Sequence, residues 1–247
     1  MAKGASAPAG LREMTTDRPD TTESPFTIDA GHTQLEMDAL AFTHDRFEGV
    51  RATGLSAAPF NLRFGLTQNF EAGIFFSPIV RVTEEPRGGP KASRRGRGDV
   101  TLRAKLNFRG NNGGATAYGL IADVKLPTAT RGFGNDKVEG ALTMPVAFEL
   151  GGGWDGGAMT SVGLLYDGSR HRTAWGNTLT FAHELGRDVG AFFEVTSQAG
   201  VGAHVCTFDT GLTWQLSREL QLDAGVYLGV SRSAPDATWF AGVSRRF

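Results

Sequence analysis

Two consecutive stretches near the C-terminus, Phe208–Leu216 (FDTGLTWQL) and Leu220–Val230 (LQLDAGVYLGV), decide the fold. In the second, Leu220, Leu222, Ala224, Val226, Leu228 and Val230 fall on one face, and Gln221, Asp223, Gly225, Tyr227 and Gly229 on the other. In the first, Phe208, Leu212, Trp214 and Leu216 oppose Asp209, Gly211, Thr213 and Gln215. Strict alternation is the period of a β-strand with unlike environments on its two faces. The polar stretch Ser217–Glu219 between them makes a short turn. Val100–Arg109 repeats the pattern, with Leu102, Ala104, Leu106 and Phe108 against Arg103, Lys105, Asn107 and Arg109.

Extended outward from these segments, the same period predicts strands near 32–43, 56–66, 69–83, 98–109, 116–127, 138–150, 156–167, 172–185, 189–199, 205–216, 220–231 and 237–247. Most of these candidates run to 11–14 residues. Globular strands usually run to about 5–6 residues, whereas a tilted membrane strand needs about 9–11. Short connections near Thr67–Gln68, Gly110–Gly114, Gly151–Gly153, Gly186–Asp188 and Ser217–Glu219 alternate with longer ones, notably 44–55, 84–97 and 128–137. Short turns at one end and long loops at the other are the topology of an outer-membrane barrel. The expectation is therefore an all-β, antiparallel transmembrane barrel of about twelve strands over residues 31–247. A flexible polar arm, residues 1–30, precedes it, and both termini lie at the periplasmic end.

Composition agrees with this and excludes other classes. Formal net charge is −1, which gives no field for nucleic acid. Mean hydropathy is −0.20 and no apolar run is long enough for a membrane helix, but alternation averages out a barrel's outward face. The single cysteine, Cys206, permits neither a disulfide framework nor a CxxC pair. His32, His44, His171, His183 and His204 have no metal-ligand spacing, and no phosphate-loop, HExxH, EF-hand or GxSxG motif occurs, so no metal or cofactor is expected. A secretory leader is expected for such a protein. Residues 1–10 carry Lys3 and the small stretch Ala5–Ser6–Ala7 but no apolar core.

The inward face is charged. Glu36, Asp38, Arg63, Glu71, Arg81, Arg103, Lys105, Asp123, Lys125, Glu139, Glu194, Asp209 and Asp223 are expected to line the lumen. A soluble barrel could not bury so many, since each unpaired ion costs several kcal/mol. Water or mutual pairing must therefore occupy that face, and the sequence leaves open whether the lumen is open or closed by ion pairs. Ser161 and Gly163 are small where charges would be expected. Trp154, Trp214, Phe108, Phe148 and Phe247 fall near the short-turn ends of strands, as an interfacial aromatic girdle would. Pro59 and Pro78 interrupt neighbouring strands at similar heights. They mark either ordinary β-bulges or a local lateral gap through which an apolar solute leaves into lipid. The basic loop 84–97 (EEPRGGPKASRRGR) is expected at the outer surface, against lipopolysaccharide.

One set of motifs carries a family resemblance: T-D-R-P-D-T-T-E-S-P-F at Thr16–Phe26, G-H-T-Q-L-E-M-D at Gly31–Asp38 and A-P-F-N-L-R-F-G-L-T at Ala58–Thr67, then V-K-L-P-T at Val124–Thr128, V-E-G at Val138–Gly140 and L-D-A-G-V at Leu222–Val226. In this order they resemble the outer-membrane "MetA-pathway of phenol degradation" transporters across the chain from Thr16. The resemblance implies a twelve-stranded channel for passive uptake of small hydrophobic or aromatic compounds, and a monomer is expected. It also implies that Asp17, Arg18, Pro19 and Asp20 fold into the periplasmic mouth as a plug. The terminal Phe247 resembles the signal read by the barrel assembly machinery. The competing readings are a non-conducting structural barrel, a soluble β-barrel binding protein and an outer-membrane esterase. For the esterase, His183 and Asn177 share the outward face, with no serine placed beside them.

Overall fold

The computed structural model describes residues 10–247; the first nine residues of the arm, including Lys3 and Ala5–Ser6–Ala7, lie outside them. Fifteen strand segments occur and, among the described residues, no helix. They are β1 (Thr33–Phe47), β2 (Val50–Ala57), β3 (Phe60–Gly65), β4 (Phe70–Phe76), β5 (Ile79–Pro86), β6 (Ala92–Gly96), β7 (Val100–Arg109), β8 (Thr116–Leu126), β9 (Glu139–Gly151), β10 (Trp154–Tyr166), β11 (His171–Glu184), β12 (Val189–Ala199), β13 (Val205–Ser217), β14 (Leu220–Gly229) and β15 (Ala237–Arg246). Neighbours pair antiparallel throughout, and β15 returns to β1, from Gln34↔Arg246 to His44↔Ala237, to close the sheet. Three staves are each built from two segments, β2 with β3, β4 with β5 and β6 with β7, so the closed barrel has twelve staves. Closure leaves no free edge through the membrane, which is the condition for strands to stand in hydrocarbon.

The outward face is an apolar belt. Leu40, Leu102, Val124, Leu142, Met144, Leu164, Leu179, Val195 and Leu212 are all exposed large hydrophobics along it. Phe108, Trp154, Trp214 and Phe247 are exposed toward the short-turn end, and Phe42 stacks on Trp239 toward the long-loop end. The inward face inverts the usual order of burial: its fully buried side chains include Arg63, Lys105, Glu36, Glu71, Glu194 and Asp209. Beside them, inward rings cover glycines that leave room for them. A Cβ on Gly225 would stand 2.7 Å from Phe240, and one on Gly211 would stand 2.7 Å from Phe192.

Two expected loops are mostly sheet. Segment 44–55 forms the tip of a hairpin, with β1 and β2 paired from Phe47↔Val50 to Leu40↔Ala57. Its two-residue turn places Glu48 at φ 48° and Gly49 at φ 81°, the left-handed pair that suits a tight hairpin. Much of 84–97 pairs as β5 with β6, from Glu84↔Ala92 to Val80↔Gly96. Charged residues on both faces above the membrane hide the alternation that marks these strands in the belt.

The split staves share one level and change face there. Residues directly opposite in an antiparallel ladder point to the same side. Below the split, Asn61, Phe75 and Thr101 point inward; above it Ser56, Val80 and Gly96 do, an odd step along each chain. In β1 the same inversion occurs at a bulge between Asp38 and Leu40. Ala58, with φ 54°, and Pro59 and Pro78, which have no N–H to give, make the break. Arg81 was expected in the lumen because alternation was continued through Ser77–Pro78. The inversion instead puts it on the outer face, where it is exposed.

The two faces differ in what they tolerate. Leu212→Arg, on the lipid face, is expected to destabilise the folded barrel by about 2–4 kcal/mol, while Gln198→Arg, in the wet upper lumen, is expected to be nearly neutral. Denaturant unfolding in lipid vesicles, followed by tryptophan fluorescence, reads both.

Candidate functional site

The site is the lumen together with the arm that occupies it. The arm enters at the short-turn end, climbs to an apex at 18–22 and descends to join β1. Its base is tied by Arg12 to Asp29 (2.7 Å), by the Asn111 amide to the Thr27 hydroxyl (2.8 Å) and by the Ile28 N–H to Glu71 (2.8 Å). Gly65 leaves the space through which the Asp29 carbonyl passes; a Cβ there would overlap that oxygen.

Above the base lies a fully buried charge cluster. Arg63 on β3 donates to Glu36 (2.6 Å) and to Glu71 (2.8 and 3.0 Å), with Asp17 of the arm 3.5 Å away. Lys105 on β7 reaches Asp17 (2.5 Å) and Glu71 (3.8 Å). Arg103 holds Asp123 through two hydrogen bonds of 2.8 and 2.9 Å, holds Glu23 of the arm at 2.6 Å, and lies over the Phe75 ring at 4.2 Å. Two arginines and one lysine thus meet carboxylates from both wall and arm, and each charge has a partner, as burial demands.

At the apex the pairing turns to the opposite wall. Arg18 bridges Asp38 and Asp223, each at 2.6 Å, and lies over the Phe240 ring. Gly242 makes that bridge possible, since a Cβ there would overlap the guanidinium of Arg18. The Pro19 carbonyl accepts from the Tyr227 hydroxyl (2.8 Å). Glu194 accepts the backbone N–H groups of Thr21 and Thr22, both at 2.7 Å, and the Thr22 hydroxyl. Asp209 accepts from the Thr21 hydroxyl (3.4 Å), and Asp20 lies beside Glu194 and Thr180.

Two cavities flank the apex. One of about 220 Å³ sits above the apex, among Thr21, Thr196, Gln198, Thr207, Asp209, Tyr227 and Thr238. The other, about 320 Å³, lies between the apex and the level where the staves split; its wall includes Pro59, Phe60, Asn61, Phe75, Phe76 and Ser77. Backbone bonds cross that level, from the Asp38 N–H to the Pro59 carbonyl (3.1 Å) and from the Gly98 N–H to the Ser77 carbonyl (2.9 Å). Ala58–Pro59 and Ser77–Pro78 make no ladder pair with each other, the ladder stopping at Phe60↔Phe76 and resuming at Ala57↔Ile79.

At the long-loop end Lys125 joins Asp99 (3.2 Å) and Glu139 (3.0 Å), Asp99 accepts the N–H groups of Thr128 and Ala129 (both 2.8 Å), and segment 127–138 lies against the inner side of β6, where Phe133 covers Gly96. In the loop between β10 and β11, N–H groups of Arg170 and Ser169 and the Ser169 hydroxyl hold the Asp167 carboxyl well below the usual carboxylate range.

Of the expected lumen residues all but Arg81 face inward. Reading by charge alone passed over the uncharged polar partners Gln34, Asn107, Asn111 and Thr178, and the arm's Arg12, Glu23 and Asp29. Inward parity was the available signal for those on strands; for the arm's distant partners, such as Lys105 for Asp17 and Asp223 for Arg18, 88 and 205 residues away in sequence, there was none. His183 stacks on Trp154 at 4.4 Å and meets the Gly153 carbonyl, a turn-end aromatic contact.

No curated relative matches the sequence. Among solved structures, the COG4313 outer membrane channel from Pseudomonas putida F1 superposes with a TM-score of 0.70 at 15% identity, over 94% of this chain and all of that one. The KdgM porin gives a TM-score of 0.51 at 9% identity, over 84% of this chain and 98% of that one. The beta domain of the Bordetella autotransporter Brka gives 0.54 at 15%, over 89% of this chain and all of that one. Channel, porin and autotransporter share the barrel, so these likenesses speak of the fold. The family model for the MetA-pathway of phenol degradation matches residues 16–247, arm and barrel together, and the chain belongs to that family.

Proposed function

We propose that this barrel is a passive outer-membrane channel for small apolar or aromatic solutes, with the arm as its plug and the split between Pro59 and Pro78 as a lateral exit. The observation that carries this reading is the coincidence of two features at one height: the lumen is filled with paired charges below the arm's apex, and the cavity beside the apex abuts the interrupted wall. A charged solute moving straight through must replace buried ion pairs, which costs several kcal/mol for each one broken. A solute in the side cavity meets Pro59 and the Phe75 ring on the wall side and the arm's Asp17, Arg18, Asp20 and Glu23 on the other, so the apolar route is the wall side alone. The family's association with phenol degradation and the COG4313 channel's place in the outer membrane support the same reading.

Single-channel recording in planar bilayers tests the plug. The intact chain is expected to give small conducting steps, and removal of residues 1–30 to raise them several-fold. A second variant, Asp17→Asn with Arg18→Gln, leaves every wall residue in place and is expected to raise the frequency of large openings. Equal conductance in all three would remove the plug; silence from all three, with the barrel folded and inserted, would favour a structural barrel.

The exit is tested by Pro59→Ala with Pro78→Ala, which restores two N–H donors to the interrupted ladder. Uptake of a labelled alkylbenzene by cells expressing the double variant is expected to fall severalfold while ion conductance stays unchanged. Unchanged uptake would sink the lateral route.

A further inference from the structure

The face inversion leaves one pair of charges that the lumen does not use. Arg81 on β5 and Arg95 on β6 are directly opposite in the ladder, and both are exposed on the outer face. Like charges in that position repel. Among the described residues neither guanidinium has a carboxylate partner. The carboxylate nearest along the outer face of β5 is Glu85, opposite Arg51. Arg81 is also held in place: its Nε donates to the Ser93 hydroxyl (2.9 Å), which in turn pairs with Thr83 (3.1 Å). That bond uses Nε alone, and among the described residues the two terminal nitrogens of Arg81 make no hydrogen bond.

The height of the pair is fixed by the belt. Below Arg81 on the same face stands Ile79, exposed and apolar, and below that Phe76, Ile74 and Ala72. Arg81 is therefore the first polar outward position above hydrocarbon on its stave, and Arg95 stands above Val100 in the same way on the next. Two adjacent planar forks at the headgroup level suit a phosphate that accepts from both.

We infer that Arg81 and Arg95 form a binding site for the phosphate groups of outer-leaflet lipid, the lipid A of lipopolysaccharide. The site depends on the long-loop end facing that leaflet, and not on what passes through the lumen. A bound phosphate would convert a repulsive cross-strand pair into a clamp on β5 and β6. β6 is the strand whose far edge has no barrel neighbour, since the next stave pairs with β7 only as far as Val100↔Leu126, and β5 is its one ladder partner.

The test is binding of bis-phosphorylated lipid A to the detergent-purified full chain, read by native mass spectrometry, with dephosphorylated lipid A alongside. Arg81→Gln with Arg95→Gln is expected to weaken retention on the order of tenfold, with normal heat-modifiable migration on gels. Arg87→Gln with Lys91→Gln, at the hairpin tip, is expected to bind as the parent does. Should the double variant fail to fold, Arg95→Gln alone carries the test, with the same direction of effect. Retention unchanged by the variants, or equal for the dephosphorylated lipid, would overturn the site. Displacement by millimolar inorganic phosphate would overturn its assignment to lipid and make it a soluble-anion site.

Discussion

A narrow barrel in hydrocarbon has nowhere to put polar side chains except its own lumen, and there each charge must be matched. Arg63 states the constraint most plainly. It is fully buried at mid-wall, and its guanidinium is held between Glu36 and Glu71 with Asp17 close by. Leaving such a group unpaired would cost several kcal/mol, more than a marginally stable fold can spare. The wall alone does not complete the match. Lys105 needs Asp17, and the carboxylates of Asp38 and Asp223 need Arg18. The arm is thus the missing half of the lumen's electrostatics, and its backbone N–H groups serve Glu36, Glu71 and Glu194 in the same way.

Strand number, strand direction and the two faces were legible in the sequence because period-2 alternation is a local property, unspoiled where one side is lipid. Leu220–Val230 shows it residue by residue. The arm was legible only as a polar segment with a recurring motif. Its partners, Lys105 for Asp17 and Asp223 for Arg18, are set by three-dimensional closure, to which a local pattern is blind. Arg81 went astray for a different reason: an odd step in register inverts every later side chain. The prolines that mark the step were visible, but the parity change was not.

That inversion obeys its own constraint. Since opposite residues share a face, a stave that flips must force its neighbours to flip until something absorbs the slip. On one side the absorber is the bulge between Asp38 and Leu40, so β15 runs on unperturbed. On the other it is β6, which has no ladder partner beyond β5; segment 127–138 covers it through Phe133 and is held by the Thr128 and Ala129 N–H groups that Asp99 accepts. The four affected staves are therefore adjacent by necessity, and the interruption falls at a single level because ladder pairing transmits it sideways without change of height along the strands.

Arm and seam meet at that level, and on the proposed function the two together would discriminate between solutes as neither would alone. Below the arm's apex a solute gains passage only by exchanging for charge pairs that are already satisfied, so the barrier scales with the polarity it cannot replace. Beside the apex the cavity has Pro59, Phe75 and a ladder with missing donors on its wall side and the arm's charged side chains on the other, so on the proposed reading the barrier there falls with the apolar area a solute buries against the wall. On that reading, water-soluble ions and apolar molecules entering the same mouth would face separate barriers set by separate parts of the chain. Selectivity in this arrangement is a difference of desolvation costs, and it requires no pocket shaped to any one substrate.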